Sequence, residues 1–134
     1  MATDQTGPAP RTSSLLHHVW NEVSIAQIIA SGTAQNATTT IYTVPASTIG
    51  YITSVQLSVL HTAAAARVVT LGIYNAAAVL QSSWGFDLNA IAVAAFPLSL
   101  VPPVILLASW SIRLVSPNAD CLCRAMITGY ALPA

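Results

Sequence analysis

The sequence predicts an all-β fold: an antiparallel β-sandwich or jelly roll of about eight strands, preceded by an extended N-terminal arm. Three observations lead there. Apolar residues recur with period two rather than 3.6 over most of the chain. Clusters of Gly, Pro, Asn, Asp and Ser separate short runs rich in β-branched and aromatic residues. Residues 1–14 contain Gly7, Pro8 and Pro10 and no apolar periodicity, so they have no core of their own to pack on. The chain therefore divides into an arm and connector over 1–20 and a sandwich domain over 21–134.

The elements follow in order. Leu15, Leu16, Val19 and Val23 keep rough helical spacing, which makes part of Ser13 to Ile29 a candidate short helix. Val23 to Ile29 is also β-rich and precedes a turn signal at Ser31-Gly32. Thr38 to Val44 is dense in β-branched and aromatic residues and stops at Pro45. Ile49 to His61 is the clearest strand. Tyr51, Thr53, Val55, Leu57 and Val59 fall on one face and Gly50, Ser54, Gln56 and Ser58 on the other, with Ile52 out of step. Four alanines in Thr62 to Ala66 favour helix, but the segment is too short to hold one and reads as a hairpin connection. Arg67 to Asn75 sets Val69, Leu71 and Ile73 against Thr70 and Gly72. Val79 to Trp84 and Ile91 to Phe96 carry weaker patterns. Pro102-Pro103 breaks Leu98 to Leu107 into an edge strand and a return. Trp110 to Val115 alternates Trp110, Ile112 and Leu114 with Ser111 and Arg113. Ser116 to Asp120 is a turn, and Cys121 to Tyr130 closes the domain with Cys121, Cys123, Ala125 and Ile127 on one face.

Composition excludes several functions. Of 134 residues, 54% are hydrophobic and 6% charged, with four cations, all Arg, balancing four acids. Ordinary soluble domains carry about 25% charged residues. Four scattered arginines make no phosphate-neutralising patch, so nucleic acid is not an expected partner. High hydrophobicity and low charge are the reverse of a disordered chain. Two cysteines make no disulfide framework. The uncharged stretch Leu88 to Ile112 is long enough to span a membrane, but Pro97 and Pro102-Pro103 interrupt it. No signal peptide is evident in the polar first 14 residues. What remains is a compact domain whose neutral surface is covered by other protein.

The residues able to do chemistry are few. The acids are Asp4, Glu22, Asp87 and Asp120; the histidines are His17, His18 and His61. Cys121-Leu-Cys123 is a C-x-C without a second pair, and on a strand its two sulfurs share one face and fill core. His17-His18 could bind a metal with His61, but nothing in the sequence places them together. Paired carboxylates, a G-x-S-x-G elbow and a phosphate-cradling Gly-rich loop are absent from the sequence. The expectation is a non-enzyme with no cofactor, no metal and no small-molecule substrate. Asn36-Ala-Thr38 matches a glycosylation sequon, read as accidental without a signal peptide. Trp20, Trp84 and Trp110 are core or interface anchors, Trp110 favouring core.

Thr39-Thr-Ile-Tyr-Thr-Val-Pro-Ala46 resembles a strand found in small virion proteins of tailed bacteriophages. The resemblance extends through Tyr51 to Ser58, Arg67 to Tyr74, Leu106 to Ser116 and a last strand ending near Tyr130, covering roughly residues 38–75 and 104–131. It departs at Leu107-Ala-Ser-Trp-Ser-Ile112, where such proteins carry a turn glycine and aspartate. The resemblance implies a virion structural β-sandwich, most simply a capsid decoration (cement) protein. Such a protein would form a homotrimer on the phage head surface, bind the major capsid protein, and pass through the host cytoplasm during assembly. The alternative it implies is a tail, baseplate or fibre module that recognises a host receptor or glycan, with Trp84-Gly-Phe86 as its loop. Inter-subunit contacts are expected at Thr6, Pro8, Pro10 and Arg11 of the arm, at His17, His18 and Trp20 of the connector, and at Trp84 and Phe86.

Overall fold

A computed structural model describes residues 26–134. Eight strands run through them: β1 (Ala26–Gln35), β2 (Ala37–Thr43), β3 (Thr48–His61), β4 (Arg67–Tyr74), β5 (Leu80–Leu88), β6 (Ala92–Leu106), β7 (Ser111–Ser116) and β8 (Cys121–Pro133). They form two four-stranded sheets, ordered β1-β8-β3-β6 and β2-β7-β4-β5, with every ladder antiparallel. The pairs β1·β8, β2·β7, β3·β6 and β4·β5 are those of one long hairpin folded over on itself, the jelly-roll arrangement. Among the described residues no helix is long and apolar enough to cross a membrane.

The core lies between the sheets. Ile52, Leu57, Leu71, Leu106, Ile112, Leu114 and Ile127 are fully buried there. Truncating any one to Ala would cost about 2–5 kcal/mol through lost transfer energy and the cavity left behind. Cys121, Cys123, Ala125 and Ile127 share the inward face of β8 as the alternation predicts, and both cysteines are free and buried. Trp110 packs partly buried against the core beside Ile112.

Several local expectations are corrected. The out-of-step Ile52 marks a β-bulge at Thr53, where both ladders of β3 shift register. Gly50 and Ile52 face inward before the bulge; Val55, Leu57, Val59 and His61 face inward after it. Tyr51 is therefore on the outer face, stacked on Tyr130 with ring centroids 5.0 Å apart. Ser31-Gly32 is not a turn but the middle of β1; Ala26 to Ile29 is strand, as its β-rich pattern predicts, and the rest of the candidate helix, Ser13 to Ile25, lies outside the described residues. Gly32 is there because Ile41 covers it: a Cβ would lie 2.6 Å from Ile41 Cδ1. The turn comes at Asn36, with φ 48°.

Pro102-Pro103 does not end β6. β6 lies at a sheet edge, where prolines need no partner. Leu100 to Pro103 bulge out opposite Thr53, and pairing resumes at Val104 in the same strand. Thr62 to Ala66 joins β3 in one sheet to β4 in the other, so it is a corner and not a hairpin. The one in-sheet hairpin among the described residues is β4–β5. Its turn is fastened by Asn75 Oδ1, which accepts from the Ala77 and Val79 amides at 2.9 Å each. In the segment lacking the turn glycine, Ser109 itself takes φ 68°, the left-handed conformation that glycine favours.

Candidate functional site

Alternation and register place two features at one end of the sandwich. The first is the outer face of the β1-β8-β3-β6 sheet. Cross-strand rows on it read Thr33, Arg124, Ser58, Ala95 and, one row on, Gln35, Leu122, Leu60, Val93. The facing rows beyond are Ser31, Met126, Gln56, Pro97 and Ile29, Thr128, Ser54, Ser99. Among the described residues Arg124 is the only charge on this face. Val93 is 84% exposed and Ile29 65%. Thr33, Ser58, Leu60, Val93, Leu122 and Arg124 line an open depression of about 280 Å³. That is small and shallow for enclosing a drug-sized ligand, and it suits a side chain presented by a neighbouring protein.

The second feature lies beneath that apolar row, where the β3–β4, β5–β6 and β7–β8 corners meet. His61 ends β3 fully buried, with Nδ1 2.8 Å from the Ala90 carbonyl oxygen of the β5–β6 corner. A carbonyl only accepts, so Nδ1 donates its proton to Ala90. Nε2 has no hydrogen-bond partner and lies 4.0 Å from Asp120 Oδ1. Cys121 Sγ is 3.4 Å from the same oxygen. Arg67, opening β4, clamps the carboxylate from the other side: Nη2 donates to Oδ2 at 2.9 Å and Nε to Oδ1 at 3.1 Å. That hydrogen-bonded clamp holds the Asp120 carboxyl below its ordinary range. Burial, followed by the Asp120 contact, pushes the Cys121 thiol up to about 11. The Asp120 backbone carbonyl also accepts from the Thr62 amide at 2.9 Å, tying two corners together.

The sequence-predicted contact residues divide sharply. Thr6, Pro8, Pro10, Arg11, His17, His18 and Trp20 lie outside the described residues. Trp84-Gly-Phe86 is not a loop but the middle of edge strand β5. Phe86 points inward, buried against Phe96 with ring centroids 5.1 Å apart, and Trp84 is half-buried in the same inward row. Sequence reasoning kept His61, Asp120 and Cys121 apart. The available signal was that a histidine ending a strand in phase with Val55, Leu57 and Val59 must be buried.

No family model matches the chain, and no curated protein matches it. Among solved structures it is similar to a chain of Bacillus endospore appendages, described as disulfide-linked pili, at 11% identity and a TM-score of 0.41. That match covers 83% of this chain and 88% of that one. It is also similar to a chain of the cyanophage Pam1 capsid asymmetric unit, at 20% identity and a TM-score of 0.33, over 81% of this chain and 82% of that one. At these scores the two likenesses bear on neither fold nor role.

Proposed function

We propose that this chain is a non-enzymatic structural protein of a phage particle, a decoration protein that sits on the head as a homotrimer and bridges coat subunits. The observation that carries the reading is the outer face of the β1-β8-β3-β6 sheet. A face with aliphatic side chains as exposed as Val93 and Ile29, and Arg124 as its one charge among the described residues, is built to be covered. The segments that resemble phage virion proteins fall on β2, β3, β4, β7 and β8, so the resemblance follows the framework of the fold rather than one loop. The jelly roll alone does not decide the matter, since capsid proteins, lectins and cupins share it. The tail-module reading rested on an exposed aromatic loop at Trp84-Gly-Phe86, and that segment is a strand with Phe86 turned inward.

Cryo-electron microscopy of particles assembled with and without this chain tests the reading. Loss of surface density on the head, with a shell that ruptures under milder heating, is the expected result. An intact head of unchanged stability, with poor adsorption to cells, would replace it with a receptor-binding role.

A further inference from the structure

The cluster under the apolar row has the makings of a metal centre. His61 Nε2, an Asp120 carboxylate oxygen and Cys121 Sγ lie within 4.8 Å of one another. Ligands at about 2.0–2.3 Å from a tetrahedral zinc ion stand about 3.3–3.8 Å apart. The Cys121 to Asp120 separation of 3.4 Å already has that spacing, and the 4.0 Å from His61 Nε2 to Asp120 needs only a small closure. His61 is fully buried, and its Nε2 is left without a partner while aimed at two groups that bind cations. A buried polar atom left without a partner carries a desolvation cost that a ligated cation would remove.

The surrounding groups are those of a metal site as well. A metal-binding imidazole usually donates its other N–H to a carbonyl, as Nδ1 does to Ala90 here. A ligating carboxylate is usually held from outside, as Arg67 holds Asp120, with Nη2 on Oδ2 and Nε on Oδ1, the oxygen that also faces His61 and Cys121. Asp120 and Arg67 keep part of their side-chain surface exposed, which leaves an entry path from solvent. We infer that His61, Asp120 and Cys121 form a binding site for a borderline-soft divalent cation of the zinc type, pinning three corners of the jelly roll together. Nitrogen, oxygen and thiolate donors together select zinc over calcium or magnesium. Binding takes the proton from the Cys121 thiol and releases it to solvent, and the ion leaves one coordination position for water. The inference runs against the sequence expectation of no metal, which weighed only the C-x-C and a pairing of His61 with His17-His18. Cys123 lies outside the cluster, its Sγ 3.9 Å from the Cys121 carbonyl oxygen.

The full-length chain, stripped with chelator, is titrated with Co²⁺ and then with Zn²⁺. The expected result is one equivalent of Co²⁺ with a thiolate-to-cobalt charge-transfer band that Zn²⁺ bleaches, and a melting temperature that rises with Zn²⁺. Cys121→Ser should abolish the band and weaken Zn²⁺ binding at least tenfold, His61→Gln should weaken it likewise, and Cys123→Ser should leave it intact. The wild-type spectrum decides the matter even if a variant fails to fold. Absence of a thiolate band at saturating Co²⁺ would overturn the inference. So would Zn²⁺ binding that survives Cys121→Ser but disappears on replacing His17 and His18 with Ala. None of these readouts involves a particle, so the site stands or falls apart from the decoration reading.

Discussion

A single methyl group at Gly129 probes the join between the two central strands of the first sheet. Gly129 of β8 pairs with Ile52 of β3, immediately before the bulge at Thr53. A Cβ there would stand 3.0 Å from Ile52 Cα and from the Tyr51 carbonyl carbon, and nearer still to the Tyr51 carbonyl oxygen. These are backbone atoms, so no rotamer change relieves the clash. Gly129→Ala must push β3 away from β8, which loosens one or two ladder hydrogen bonds at about 1 kcal/mol each. It also shifts the fully buried Ile52 within a packed core, at about 1–3 kcal/mol. The sum is about 2–5 kcal/mol, a large share of the roughly 5–15 kcal/mol that holds a typical domain. At roughly 3–5 °C per kcal/mol for a chain of this size, the melting temperature should fall by about 6–25 °C. Gly85→Ala is the comparison: its Cβ would meet only Val68 Cγ1, at 3.5 Å. On an edge strand that change should be neutral or stabilising within about 1 kcal/mol. Calorimetry and circular dichroism melts of both variants measure the difference. If Gly129→Ala melts within about 2 °C of wild type, or Gly85→Ala loses as much, the argument from the β3–β8 approach is wrong.

Four further outcomes are expected. Asp120 is depressed below its ordinary 3.8, so the stability it contributes is present above that pH and lost as pH falls through its folded value. Acid melts should show that loss in wild type and a flatter limb in Asp120→Asn. Cys121 is raised from 9.0 to about 11, so its contribution is complete below pH 9.0 and drains away as pH rises through about 11. Melts in chelator should show that alkaline limb, and Cys121→Ala should remove it. Val93→Asp, at an 84% exposed position, should leave the melting temperature unchanged while abolishing self-association in light scattering and attachment to the particle. A wild-type chain that scatters as a stable 13.9 kDa monomer at all concentrations would refute the premise. Deleting residues 1–14 should leave the domain's melting temperature unchanged and weaken its attachment, and failure of the truncated chain to fold would assign the arm to the core.

The fold was legible because its signal is local. Val69, Leu71 and Ile73 in β4, and Cys121 to Ile127 in β8, declare their inward face by alternation alone, and the structure keeps it. Misreadings arose wherever a residue's role depends on a distant partner. Gly32 looked like a turn because its reason, Ile41 lying over it, comes from another strand. Pro102-Pro103 marked an edge strand, as the sheet order has it, but also looked like its end, because the bulge of Leu100 to Pro103 after which pairing resumes at Val104 shows only in the ladder. Ile52 was visible as an irregularity, but a bulge that moves Tyr51 to the outer face needs the ladders to be seen. The His61–Asp120–Cys121 cluster was illegible for the same reason: a β3 terminus and a β7–β8 turn meet only when the sheets close.

The ladder pattern also dictates how the chain can acquire its shape. Among the described residues, each of the six ladders joins one strand from β1–β4 to one from β5–β8, and none joins two strands of the first half. Emerging from the ribosome at about 5–20 residues per second, the first half stays without a sheet partner until Leu80 and beyond are made. The β4–β5 hairpin is the cheapest closure, and later pairings span progressively longer loops out to Ala26 against Ala131. Folding therefore zips from the middle of the sequence outward and, with so few local contacts, runs slowly for its length. During that interval a nearly uncharged, strand-rich segment is exposed to its neighbours, so yield should depend on synthesis rate and chaperone supply more than on the stability of the finished domain.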